Sequence, residues 1–168
     1  MASPEYQVVQ REMAPKLAAA EDEITQNEAL FKRIEAVYNS PEKAKLKPEQ
    51  QRLTWVYYTQ FVRAGARLNP EAKKRLSQIN QQLAGLYTKF SQNVLAEETD
   101  QFIVLKSEDE LAGLPQSLRD AAAAAAETKK QPGTWVIMNT RSSIDPFLTY
   151  SDRRDLREKA WRMFVNRG

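Results

Sequence analysis

Neither cysteine nor histidine occurs anywhere in this chain. Zinc sites of the usual kind, cysteine nucleophiles, Ser-His-Asp relays and disulfide frameworks are therefore excluded. Carboxylate, Lys, Tyr, Ser and Thr chemistry is all that remains. Charge of one sign is also scarce: 25 Lys+Arg stand against 22 Asp+Glu, and the longest basic runs are pairs such as Lys73-Lys74 and Arg153-Arg154. Nucleic-acid binders concentrate positive charge on one face, so no nucleic-acid partner is expected. No apolar run approaches the ~20 residues that span a bilayer, and no membrane partner is expected either. The opening residues 1–5 have neither the basic n-region nor the apolar h-region of a signal peptide. The missing cysteine agrees with a reducing compartment.

What is present reads as helix. Only 5 Gly and 8 Pro punctuate 168 residues, a length that suits one domain with a real core. Most prolines sit where helices begin. Ser3-Pro4-Glu5 reads as N-cap, N1 and early acid, Asn69-Pro70-Glu71 repeats the pattern, and Lys47-Pro48-Glu49 is a weaker version. A first tract is expected over 4–39, carrying Tyr6, Val9, Met13, Leu17 and Ile24 on one face, with a kink or break at Pro15. A second helix is expected over 48–68, with Leu53, Val56, Tyr57, Phe61, Ala64 and Leu68 inward. A third, over 70–97, carries Leu76, Ile79, Leu83, Leu86, Phe90 and Val94 as a narrow seam. The short join at Asn69 predicts that the second and third form an antiparallel hairpin.

After Glu98 the texture changes. Residues 101–105 and 134–138 are short β-type runs. Between them lie one turn of helix near Ser107 and a helix over 115–129 with six consecutive alanines, Ala121–Ala126. A last helix is expected from Ser151 to Asn166. The fold class is thus mainly α: antiparallel helical hairpins or a bundle, with a small two-stranded β-unit. The expected organisation is a single domain over 1–168, with helical hairpins at 1–98, a β-α-β unit at 99–140, and a closing loop and helix at 141–168.

No catalytic, cofactor-binding or metal-binding residue emerges. Glu21-Asp22-Glu23 point in different directions on a helix and read as a solvated face. Glu97, Glu98 and Asp100 sit at a helix end with no second ligand set nearby. Trp55, Tyr57, Tyr58 and Phe61, flanked by Arg52 and Arg63, could stack bases, but Tyr57 and Phe61 are core-spaced. Arg141–Pro146 could be a binding loop, and its Ser/Asp/Pro content is also ordinary turn chemistry. The Leu76–Val94 seam could seat a partner helix, and intramolecular packing is the favoured reading.

Several stretches nevertheless resemble a known family. They are Ser3-Pro-Glu-Tyr, the segments 10–17 and 30–38, residues 49–53 and 61–68, and above all 75–95, from Arg75-Leu-Ser-Gln-Ile-Asn to Asn93-Val-Leu. Residues 111–115, 157–161 and 166–168 agree as well. Together they resemble the thimet-oligopeptidase-like (M3) zinc metallopeptidases, in the bacterial peptidyl-dipeptidase branch. Such enzymes carry His-Glu-x-x-His on a helix, whose two imidazoles hold zinc while the Glu acts as general base. With no histidine the chain carries no cofactor of its own. Zinc would belong to the parent enzyme, and the resemblance implies a fragment preceding the catalytic segment. It further implies a non-catalytic helical wall of a channel, inactive alone, in a parent that hydrolyses oligopeptides and releases C-terminal dipeptides in the cytoplasm. Its expected partners are the catalytic part of the same polypeptide and oligopeptide substrates. A homodimer could form through exposed apolar surface, with Trp55, Trp161 and Phe147 as candidates because they fall off the best core stripes. The alternative is a stand-alone helical protein-interaction module.

Overall fold

The computed structural model describes residues 3–168. Among them are seven α-helices and one two-stranded antiparallel sheet, the mainly α class expected. The chain divides into two compact units, one up to Lys89 and one from Phe90 to Gly168.

In the first unit, α1 (Pro4–Thr25) starts as the sequence predicts: the Ser3 hydroxyl accepts the Tyr6 N–H at 3.3 Å. The expected break at Pro15 does not occur, and the helix runs through it. A missing N–H forfeits one ladder bond, but α1 is exposed or half-buried along most of its length, so a tight neighbour does not compound the loss. The break falls instead at Gln26-Asn27. There the Asn27 side chain accepts the Leu30 N–H at 2.9 Å and opens α2 (Glu28–Asn39). A 3₁₀ turn at Pro41–Lys45 leads to α3 (Pro48–Arg63).

α3 ends in a Schellman motif. Gly65 takes φ +92°, its N–H reaches the Val62 carbonyl, and the Ala66 N–H reaches Phe61 O at 3.0 Å. A Cβ at Gly65 would meet the Leu76 side chain at 2.6 Å, so glycine is required twice over. α4 (Pro70–Asp100) begins where Asn69 Oδ1 accepts the Ala72 N–H at 2.8 Å. The helix pair that closes most tightly in this unit is α2 with α3, rather than the second and third helices of the sequence reading. Phe31, Phe61 and Ala66 form its core, flanked by Ile34, Tyr58 and Val62. Tyr38 and Tyr58 stack at 3.9 Å, and Phe31 stacks on Tyr58 at 6.0 Å.

In the second unit, β1 (Phe102–Leu105) pairs antiparallel with β2 (Trp135–Met138) in the register Phe102↔Met138 to Leu105↔Trp135. A 3₁₀ turn at Glu108–Leu111 and α5 (Gln116–Thr128) lie between them. The alanine run acts by close approach: Ala122 and Ala126, four apart, are buried, and α5 makes its main contact with β2. α6 (Arg141–Tyr150) and α7 (Arg154–Val165) complete the unit. The loop expected at 141–146 is therefore helix. Turn propensity loses there because Ile144 and Phe147 stack on one side of α6 and both reach the core. Phe147, expected on the surface, is 0% exposed among Ile103, Leu105, Leu111 and Ile137. Gly113 holds φ +83° directly beneath the end of α6, where a Cβ would stand 2.2 Å from the Tyr150 carbonyl.

Candidate functional site

The first unit carries an open apolar groove. Leu30, Ile34 and Val37 of α2 face Leu53 and Tyr57 of α3 across an open groove of about 450 Å³. It continues past Phe61 and Ala64 to Ile24 near the end of α1. Tyr57 is 50% exposed, and Leu53 and Val37 are similarly bare. α2 is apolar on two sides: Phe31 points into the core while Leu30 and Val37 point away from it. The apolar arc is thus wider than one partner helix covers. The sequence reading placed Leu53 and Tyr57 inward; the width of that arc was the signal that a second surface exists. On α4 the predicted seam surfaces too, with Leu86 62% exposed beside Tyr87 and Phe90.

Polar groups in this unit act as ties. Asp22, read as part of a solvated face, is only 7% exposed. Its Oδ1 accepts from Asn80 Nδ2 at 2.8 Å and from Gln26 Nε2 at 3.1 Å, while Lys73 Nζ donates to the Gln26 carbonyl. Neighbouring Glu21 and Glu23 remain exposed. Trp55 lies against the Arg52 guanidinium, and Tyr58 is occupied by Tyr38 and Arg67, so the aromatic cluster does not present one stacking platform.

In the second unit, Glu97 accepts the Gly168 N–H and Glu98 pairs with Arg167 at 2.6 Å. Arg167 also donates to the carbonyls of Asn139 and Phe164. Those carboxylates are structural. Arg154, Arg157 and Glu158 line a shallow surface between α6 and α7 with Leu148 and Trp161, the last 50% exposed as expected. The Asp155 carboxyl is held below the usual range, first by its hydrogen bond from Arg153. Glu28 is lowered likewise by Lys32.

Among the described residues no three His, Cys, Asp or Glu side chains come together to hold a metal ion. The residues present therefore do not fit the zinc that the family resemblance implies. None of the described helices is long and apolar enough to cross a membrane.

No family model matches the chain. Curated proteins do. Dipeptidyl carboxypeptidase of Escherichia coli is 32% identical over 155 residues, 92% of this chain and 23% of that protein. Oligopeptidase A of Salmonella typhimurium is 29% identical over 165 residues, 98% of this chain and 24% of that one. Organellar oligopeptidase A of Arabidopsis thaliana is 27% identical over 172 residues, again 98% of this chain, and 22% of its own length. The chain spans rather less than a quarter of the length of these relatives. Identity near 30% sustained along nearly the whole chain makes it a homologue of one segment of the M3 peptidases dipeptidyl carboxypeptidase and oligopeptidase A.

Proposed function

We propose that this chain is a non-catalytic helical wall of a zinc metallopeptidase that hydrolyses oligopeptides, peptidyl-dipeptidase-like in releasing C-terminal dipeptides. The observation that carries this reading is the match itself: 32% identity across 92% of the chain, confined to 23% of a dipeptidyl carboxypeptidase. A chain without histidine cannot supply the imidazoles of a His-Glu-x-x-His helix. Its contribution is then shape: helices that narrow a channel to the width of an unfolded peptide. The bare groove along α2 and α3 supports this, since apolar surface of that extent suits an interface better than solvent.

A chimera tests it. This chain replaces the matched segment of the Escherichia coli enzyme, and the release of C-terminal dipeptides is followed with and without chelator. Chelator-sensitive turnover by the chimera, with none from the chain alone, is the expected result. A folded but inert chimera, or zinc-dependent cleavage by the chain alone, would overturn the proposal.

A further inference from the structure

The outer edge of β1 is a place where the second unit can accept an extended peptide. Antiparallel neighbours alternate between pairs that exchange both hydrogen bonds and pairs whose N–H and C=O groups face away from each other. The Met138 N–H is taken by the Ser143 hydroxyl of α6 at 3.0 Å, so it faces away from β1. Phe102↔Met138 is therefore an outward-facing pair, and two residues on so is Val104↔Val136. On β2 the outward Met138 N–H is occupied by Ser143, and both α5 and α6 pack against that strand. On β1 the next outward group, the Lys106 N–H, is taken by the Glu110 carboxylate. Between these closures, among the described residues, the outward N–H and C=O groups of Phe102 and Val104 meet no hydrogen-bond partner. The open stretch matches the reach of a short strand added alongside, the mode in which backbone bonds give affinity with little demand on side chains.

We propose that this edge binds an oligopeptide in extended form, adding a third strand to a sheet that two strands alone hold only marginally. The choice of a peptide as occupant rests on the peptidase reading above; the geometry of the edge does not. A channel wall that grips substrate by its main chain would accept many sequences, because the bonds it offers are common to all of them.

The probe is the acetylated, amidated pentapeptide Lys-Thr-Val-Thr-Val, titrated into the full chain by NMR with amide exchange read residue by residue. Slowed exchange at Phe102 and Val104 is expected. The substitution Val104→Pro removes one outward N–H while leaving the β1–β2 bonds intact, because Val104 does not donate to β2. It should weaken the peptide at least tenfold with an unchanged far-UV spectrum, whereas Trp161→Ala should bind as the parent does. Absence of binding at millimolar peptide, protection confined to other residues such as the α2–α3 groove, or undiminished affinity in a folded Val104→Pro would each overturn the proposal. Should Val104→Pro fail to fold, the exchange map of the parent chain decides alone. An active chimera together with no protection at this edge would sink the edge and spare the peptidase reading.

Discussion

Replacing Phe147 by alanine is the most searching test of how the second unit holds together. The ring is fully buried and is the largest such side chain among the described residues. It packs with Ile103 and Leu105 of β1, Ile137 of β2 and Leu111 of the 3₁₀ turn, so three separate segments lose contact at once. Phe→Ala at a site of this kind costs about 3–5 kcal/mol, the lost transfer energy plus the cavity left behind. A unit of about 80 residues has a total stability of about 4–12 kcal/mol. The substitution therefore consumes a third of that stability or all of it. At roughly 4–8 °C per kcal/mol for a unit of this size, a loss of ~4 kcal/mol lowers the melting temperature by about 16–32 °C. Far-UV circular dichroism during heating and urea titration both read this. Trp161→Ala is the matched control: another aromatic, half exposed, for which a change near ~0.5 kcal/mol is expected. If Phe147→Ala melts no lower than Trp161→Ala, the core is not where the packing places it.

Three further outcomes are expected. Asn139 is fully buried and both side-chain polar atoms meet no partner among the described residues, so Asn139→Leu should leave the melting temperature unchanged or raise it; a loss above ~2 kcal/mol would show that the amide is satisfied after all. The depressed pKa of Asp155 means that its share of stability is present above the ordinary carboxylate range and is lost as pH falls through the folded value; Arg153→Ala should bring its NMR titration midpoint back up toward about 4, and an unmoved midpoint would remove the Arg153 bond as its cause. The α2–α3 groove should drive concentration-dependent association in sedimentation velocity, and Leu53→Lys should suppress it; a parent chain that sediments as monomer throughout would count against the groove as an adhesive face.

Helix beginnings were legible because their chemistry is local. Ser3 and Asn69 each announce an N-cap in the sequence and each makes the bond. Asn27 makes the same kind of cap, but the expectation of one tract over 4–39 passes over it and puts the interruption at Pro15, whose single lost bond an exposed helix absorbs. The two strands fell where the β-type runs predict, within a residue of their ends. Partners were harder to read. Periodicity assigns Leu53, Tyr57, Leu86 and Phe90 to apolar faces, and it carries no information about what covers a face. Phe147 and the helix around it were invisible for the converse reason. Ser142, Ser143, Asp145 and Pro146 favour a turn over their own few residues, and only the sheet and α7, distant in sequence, make helix the better choice. The edge of β1 needed the register and the Ser143 bond, neither of which a linear pattern contains.

Arg167 touches the last turn of α4 through Glu98, the end of β2 through the Asn139 carbonyl and the end of α7 through the Phe164 carbonyl. Three chain segments far apart in sequence thus share one side chain as their common knot. Their ends should loosen together rather than one by one, so native-state amide exchange would find them opening as a single cooperative foldon with one free energy.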